Sequence, residues 1–277
     1  MYNCSSDFFA EKDIKLIIDF HVHTFPDKLA TKVIPKLAAT AGIEPQTNGT
    51  ISDTLEKMKS WGVDRAVLLN IATAPSQQTT INNVAATNYS QPFYTFGSVH
   101  PDAEDKISEL KRIKELGLYG VKLHPEYQQF FVDDEKAFPI YEECSALNLP
   151  ITFHAGCDLG FGPPVHATPD RLIRVLDMFP KLTVIAAHFG GYKCWDMVDY
   201  FLVGKNIYFD TSFTANEIDP LRMKDIIKRH GTDKILFASD CPWKKMSDSI
   251  IQIEKTGLPT ADTDRIFYKN ALELLSR

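Results

Sequence analysis

The feature that most constrains the fold is the recurrence of eight apolar runs of strand length, separated by turn residues and amphipathic helical patterns. Such repetition is typical of successive βα units. Most of the runs are rich in Val, Ile, Leu and Phe and do not alternate with polar residues, as expected for a parallel sheet covered on both faces. The predicted strands cover residues 15–20, 64–70, 93–99, 119–124, 150–154, 183–188, 207–212 and 234–240.

The segments between these runs predict helices, and the pair Thr168 and Pro169 predicts an N-cap followed by proline in the first turn. Two architectures accommodate this order, a (β/α)8 barrel and an open doubly wound sheet. Eight units and the lack of a Gly-x-Gly-x-x-Gly turn favour the barrel, so we expect residues 1–277 to form a single α/β domain, a distorted TIM barrel. The predicted helices cover residues 50–61, 103–116, 135–147, 169–179, 223–230 and 262–275.

Charge and cysteine usage exclude several classes of protein. The net charge is −6 and the basic residues are scattered, so no basic surface is offered to nucleic acid. Neither a secretion signal nor a run of about 20 apolar residues is present, which argues against a membrane protein. Five widely spaced cysteines argue against a disulfide framework and a zinc knuckle. We expect a cytoplasmic protein with a small-molecule partner, and homo-oligomerisation stays open.

Histidines and one aspartate stand where the predicted strands end. The carboxyl ends of all strands in such a barrel share one rim, where active sites of barrel enzymes are built. These side chains are therefore expected to meet at one face of the molecule. They are His21 and His23 on the first strand, His124 on the fourth, His154 on the fifth, His188 on the sixth and Asp240 on the eighth.

A metal site is the chemistry that this set predicts. Histidines two apart on a strand point to the same side, so His21 and His23 can hold one ion between them. His154 and Asp240 complete a ligand set that suits zinc, or manganese as the other option, with a position left for water. We expect one ion per chain, because a second ion held by His154 and His188 would leave few histidines to act as a base.

His188 is the predicted acid/base, because imidazole titrates near neutral pH, and Asp240 is expected to assist with protons. The alternatives for His188 are a supporting hydrogen bond or a further metal ligand. Lys122 and His124 share one face of the fourth strand and are predicted to contact substrate, although the lysine could instead form a structural ion pair. Asp19 could orient His21 or form a buried polar bridge.

His100, just before a proline, and His166, in a loop rich in Gly and Pro, are weaker site residues, and a surface loop explains both. Neither is assigned a role.

Seven segments across nearly the whole chain resemble the amidohydrolase-related family often called amidohydrolase 2, within the amidohydrolase superfamily. The resemblance implies a distorted TIM barrel, with His21, His23, His154 and Asp240 as metal ligands and His188 as the residue that activates water or transfers a proton. The family includes aminocarboxymuconate semialdehyde decarboxylase, resorcylate-type decarboxylases and some lactone hydrolases. The segments are IIDFHVHTFPD, GVKLHP, PITFHAG, FPKLTVIAAHFGG, IYFDTS, ILFASDCPW and NALELL.

The reaction expected from these residues is metal-dependent hydrolysis of a small carbonyl compound, such as a lactone, ester or amide, by a metal-activated water. The alternative is a metal-dependent decarboxylase that acts on a small unsaturated or aromatic acid. A lysine or arginine at the rim, placed to hold a carboxylate, would favour that alternative. A barrel that binds a metal and a metabolite without turnover is the third hypothesis.

Overall fold

Short parallel strands form the centre of the molecule. A computed structural model describes residues 16–87 and 90–276, so residue 15 of the first predicted strand and the two ends of the predicted domain lie outside the described residues. The observed strands are shorter than the predicted ones. They are β1 (Ile18–Val22), β2 (Arg65–Leu69), β3 (Phe93–Phe96), β4 (Val121–Leu123), β5 (Ile151–Phe153), β6 (Val184–Ala186), β7 (Tyr208–Asp210) and β8 (Ile235–Leu236).

The strands follow one another in chain order. Three of them form the sheet β1-β2-β3 and five form the sheet β4-β5-β6-β7-β8, with parallel pairing throughout. Parallel bridges between Gly97 and Val121 and between Val22 and Cys241 join the two sheets at both edges. This order has no reversal, in contrast to a doubly wound sheet, and it confirms the predicted TIM-barrel fold.

Helices follow the strands around the outside, and each of the six predicted helices lies within a few residues of an observed one. Other helices were not predicted, among them Asp27–Ala41, Gln78–Thr87, Trp195–Phe201 and Met246–Lys255. The predicted helix 262–275 is interrupted by a π-helical turn at Arg265–Lys269. Three short 3-10 turns, at Pro75–Gln77, Glu135–Ala137 and Thr232–Lys234, adjoin other elements. The α-helices are α1 (Asp27–Ala41), α2 (Ile51–Trp61), α3 (Gln78–Thr87), α4 (Lys106–Glu115), α5 (Pro125–Gln128), α6 (Phe138–Leu147), α7 (Pro169–Met178), α8 (Trp195–Phe201), α9 (Pro220–His230), α10 (Met246–Lys255), α11 (Thr260–Asp264) and α12 (Asn270–Leu275).

The start of α7 differs from the predicted cap. Thr168 stands at the N-cap position before Pro169, but its hydroxyl donates to Asp170 Oδ1 at 2.6 Å and caps no backbone N–H.

In the part of the chain that the structure describes, no helix is both long and apolar enough to span a bilayer.

Alternation along the strands sorts side chains into two hydrophobic clusters. Val121 and Leu123 of β4 pack with the helices in the larger cluster. Ile18 and Phe20 of β1 belong to the smaller cluster, which the strands enclose together with α12. Because successive side chains of a strand point to opposite faces, Lys122 projects inward, away from the helices. A lysine is thereby held, fully buried, among the strands.

Candidate active site

One pocket collects every side chain that the sequence predicts for the site. Its walls are mostly apolar and include Phe25, Tyr127, Phe213 and Trp243. In β1, His21 is the fourth residue and His23 follows the last, whereas Asp240 comes four residues after β8. The seven predicted residues in the pocket are His21, His23, Lys122, His124, His154, His188 and Asp240.

Three of these residues, which we call the His21 group, bring their donor atoms together: His21, His23 and Asp240. All three donor atoms lie within 4.8 Å of one another. His21 Nε2 is 3.1 Å from His23 Nε2. Asp240 Oδ1 is 3.4 Å from each of these nitrogens.

Hydrogen-bond acceptors hold the far nitrogen of each imidazole in this group. His21 Nδ1 lies 2.8 Å from Asp210 Oδ2, and His23 Nδ1 lies 2.9 Å from the carbonyl oxygen of Leu69. Since a carbonyl oxygen only accepts, His23 carries its proton on Nδ1, and the same tautomer suits His21 beside a carboxylate. The two Nε2 lone pairs then face each other and the Asp240 carboxylate, which is repulsive unless a cation lies between them. The donor set therefore fits a divalent metal.

Electrostatics favour the protonation states that bind metal. Burial, with Lys122 nearby, lowers the pKa of His21 well below its usual value, which keeps the ring neutral. Burial alone would raise the pKa of Asp240, but His21 and His23 beside it bring that pKa below its ordinary value. Neutral imidazoles and an ionised carboxylate are the metal-binding forms.

A second set of donors, which we call the Asp158 group, consists of His124, His154 and Asp158. Asp158 Oδ2 lies 3.4 Å from His124 Nε2 and 3.8 Å from His154 Nε2. The two imidazole rings stack with their centroids 4.2 Å apart. Sequence reasoning missed Asp158, because it lies in an irregular segment after β5 where no periodic pattern marks it.

The structure places His154 in the Asp158 group and not in the His21 group. His154 Nδ1 lies 2.9 Å from His188 Nε2. Its Nε2 is buried and has no hydrogen-bond partner among the described residues. A buried polar atom without a partner is destabilising, so this nitrogen is available to a ligand. Its role as fourth metal ligand stays a prediction.

His188 is held by hydrogen bonds that select one of its nitrogens. Ser212 Oγ donates its proton to Asp210 Oδ1 at 2.5 Å. Ser212 Oγ must therefore accept from His188 Nδ1, which lies 2.9 Å away. His188 Nε2 then accepts from the ring N–H of His154 at 2.9 Å, and it is the nitrogen that can take up a proton once that contact opens. Both His188 (φ 59°) and Asp240 (φ 73°) adopt a left-handed backbone. For residues other than glycine, such strain costs about 1–3 kcal/mol and is concentrated at functional sites.

Asp210, at the end of β7, connects His21 with His188 through hydrogen bonds, and the sequence analysis did not predict it. Its carboxylate accepts from the ring of His21, the hydroxyl of Ser212 and the backbone N–H of His188. One side chain therefore orients a predicted ligand and the predicted acid/base. The reasoning that selected Asp240, a carboxylate at a strand end on the rim, would have found Asp210 as well.

Lys122 is the buried cation of the pocket. Its Nζ lies 3.4 Å from His21 Nε2. Burial lowers the pKa of Lys122 to about 8, against the opposing effect of Asp210 and Asp240. At neutral pH the ammonium form still predominates.

Asp19 forms a buried polar bridge, which is one of the two predicted alternatives. Its Oδ1 accepts from the backbone N–H of His21 at 3.1 Å and from that of Ser239 at 3.0 Å, and its Oδ2 accepts from the Ser239 hydroxyl. Burial raises the pKa of Asp19 to about 7. The carboxylate that contacts the His21 ring belongs to Asp210 instead.

His100 and His166 lie outside the pocket lining. His100 Nδ1 accepts from the backbone N–H of Asp102 at 3.2 Å, in the turn before α4. His166 Nδ1 lies 3.7 Å from Glu126 Oε1.

Comparisons with known proteins identify relatives in sequence and in fold. The chain is 26% identical over 222 residues to the gamma-resorcylate decarboxylase of Polaromonas sp. (strain JS666 / ATCC BAA-500). The matched region covers 62% of this chain and 67% of the relative. An uncharacterised TIM-barrel protein from Bordetella bronchiseptica superimposes with a TM-score of 0.75 at 21% identity, over 94% of this chain and 98% of the other.

A dihydroxybenzoic acid decarboxylase from Polaromonas sp. JS666, solved with manganese and the inhibitor 2-nitroresorcinol, superimposes with a TM-score of 0.71 at 20% identity, over 95% of this chain and 97% of the other. These solved structures support the fold. The family model described as amidohydrolase matches residues 18–277. The chain therefore belongs to the amidohydrolase family and is an enzyme of the amidohydrolase superfamily.

Proposed function

We propose that this chain is a metal-dependent decarboxylase that releases carbon dioxide from a small aromatic acid. The observation that carries the proposal is the position of Lys122, a cation inside an aromatic-walled pocket, 3.4 Å from a nitrogen of the His21 group. An ammonium group at this point can pair with a substrate carboxylate or phenolate beside the metal donors. A lysine or arginine placed to hold a carboxylate is the feature that, from the sequence, would favour decarboxylation over hydrolysis.

The pocket walls suit a flat aromatic substrate. Phe25, Tyr127, Phe213 and Trp243 present aromatic surface, and aromatic rings pack well against each other in offset or edge-on contacts. The polar atoms are concentrated in the His21 group, Lys122 and the Asp158 group. A ring that carries a carboxylate and hydroxyl groups matches this division between apolar walls and charged centre.

In this proposal the His21 group holds the metal, with His154 as a further ligand. A divalent cation, when bound, would neutralise and polarise the oxygens of the substrate. Zinc is the metal expected from the sequence, and manganese is the one present in the Polaromonas dihydroxybenzoic acid decarboxylase. Manganese is therefore the first metal to try in reconstitution, and zinc the second.

Decarboxylation needs one proton, which replaces the carboxylate on the ring carbon as carbon dioxide leaves. In this proposal His188 carries that proton on Nε2, because its Nδ1 is engaged by Ser212. Burial lowers the pKa of His188, so once protonated it readily gives the proton up. Asp210 hydrogen-bonds to His21 directly and is linked to His188 through Ser212. It therefore fixes the position of the proton carrier relative to the metal donors.

Hydrolysis, the reaction first expected from the sequence, has no specific support in the comparisons. The curated relative and the manganese-bound structure are both named as decarboxylases. The predicted alternative is accordingly the function advanced here.

A substrate screen tests the proposal. Protein reconstituted with Mn²⁺ or with Zn²⁺ is incubated with gamma-resorcylate, other hydroxybenzoates, lactones and amides, and carbon dioxide and aromatic products are measured. Release of carbon dioxide from a hydroxybenzoate, with a sharp loss in Lys122→Met at equal metal content, is the expected result. Hydrolysis of a lactone or amide with no decarboxylation of any acid would overturn it.

A further inference from the structure

Two cysteine thiols are neighbours, and one of them, Cys157, lines the pocket. Cys157 follows β5, and Cys194 is the residue before α8. The backbone N–H of Cys157 donates to the carbonyl of Tyr192 at 2.9 Å, and Gly156 forms a parallel bridge with Tyr192. The thiol of Cys194 has the thiol and the backbone of Cys157 as neighbours.

Gly156 permits this close approach. Its φ of 79° suits glycine, and a Cβ at this position would lie 2.3 Å from the backbone nitrogen of Tyr192. The segments after β5 and β6 are therefore packed backbone to backbone where the two thiols meet.

Access separates these thiols from the other described cysteines. Cys157 lines the pocket and is half-buried, as is Cys194. Cys144 and Cys241 are buried, and burial raises the pKa of both thiols. A small solute that enters the pocket therefore meets Cys157 first.

We propose that Cys157 and Cys194 form a reversible oxidation site for a small hydroperoxide such as hydrogen peroxide. Cys157 Sγ attacks one peroxide oxygen and becomes a sulfenic acid, and the thiol proton leaves with the departing hydroxide as water. The Cys194 thiol then attacks that sulfur, the S–S bond forms, and the sulfenic hydroxyl leaves as water with the proton of Cys194. Overall, two thiols and one peroxide give one disulfide and two waters.

The order of the two steps follows from the surroundings of the thiols. Burial, and then the neighbouring thiol of Cys157, raise the pKa of Cys194 to about 11, so Cys194 remains a thiol at neutral pH. Cys157 faces the pocket and takes the first step. Since Asp158 is the next residue, the disulfide would tie the segment that carries Asp158 to the start of α8.

Peptide mapping of the full chain tests the proposal. The protein is treated with hydrogen peroxide, alkylated with iodoacetamide and digested with trypsin followed by chymotrypsin, which can cut after Phe153 and so separates Cys144 from Cys157. The expected product is a peptide pair linked through Cys157 and Cys194 that dithiothreitol separates. Oxidation at this pair should exceed that at Cys144 and Cys241 by about 10-fold or more.

Cys194→Ser is the matched variant, with Cys194→Ala in reserve if it does not fold. Without its partner thiol, Cys157 should be trapped by dimedone as a sulfenic acid, and no linked pair should appear. The proposal is overturned if wild-type Cys157 stays reduced, if it is overoxidised while Cys194 remains a free thiol, or if it pairs with Cys4.

Discussion

The His21 group and the Asp158 group are two sets of three donors in one pocket, yet they differ in what stands behind them. In the His21 group, Asp210 and the Leu69 carbonyl hold the far nitrogens at 2.8 and 2.9 Å. In the Asp158 group, His154 Nδ1 lies 2.9 Å from His188 Nε2, but the far nitrogen of His124 has weaker partners. His124 Nδ1 accepts from the backbone N–H of Tyr127 at 3.5 Å, and Glu126 Oε2 lies 3.8 Å away, beyond hydrogen-bond distance.

This difference in hydrogen-bond partners indicates which of the two groups binds a metal. Partners behind a ligand fix its tautomer and its orientation, and this support commonly accounts for a 10–100-fold difference in metal affinity. In the Asp158 group His124 has looser contacts, and His154 Nε2 lacks a partner among the residues that the structure describes. We infer that the His21 group holds the ion, with His154 as a further ligand, and that His124 and Asp158 contact substrate.

The largest effect is expected from His21→Ala, or equally His23→Ala, because each removes one nitrogen from a site with few protein ligands. Metal content after dialysis should fall close to zero, and turnover with it. His124→Ala is the matched control from the other group and should retain its metal. Equal metal content in all three variants would erase the distinction between the groups.

His188→Ala should retain most of the metal and lose about 100-fold or more in kcat, the effect expected when a positioned acid/base is removed. Metal analysis and steady-state kinetics on the same preparation separate the two effects. A variant that turns over at nearly the wild-type rate would show that another group carries the proton.

Asp210→Asn keeps the shape of the side chain but removes the charge behind His21. Metal affinity should weaken by about 10–100-fold, since a partner of the ligand is altered and not the ligand itself. Competition with a chelator measures this change. Unchanged affinity would mean that the contact behind His21 does not distinguish the two groups.

The smallest effect is expected from Asp158→Asn. Loss of one partly exposed charge in the pocket should raise KM by about five-fold, roughly 1 kcal/mol, with kcat and metal content nearly unchanged. A large loss of metal in this variant would indicate that the ion binds at the Asp158 group.

Strand-length apolar runs and their order were sufficient to predict the barrel, because each run is buried on both faces and must pair with its neighbours. The same order placed His21, His188 and Asp240 in one pocket, through the rule that strand ends share a rim. The single domain over residues 1–277 stays a prediction.

The finer contacts could not be predicted from the pattern. Asp158 lies in an irregular segment, and the orientation of the His154 ring depends on hydrogen bonds from β6 and β7, which are distant in the chain. Asp210 follows the strand-end rule and could have been identified.

The most direct test is anomalous scattering from crystals of the chain grown with Mn²⁺. We predict a single ion per chain, bound by His21, His23 and Asp240 with His154 as a further ligand, and an unmodified Lys122. Two ions about 3.5 Å apart with a carbamate on Lys122, or an ion held by the Asp158 group alone, would contradict it.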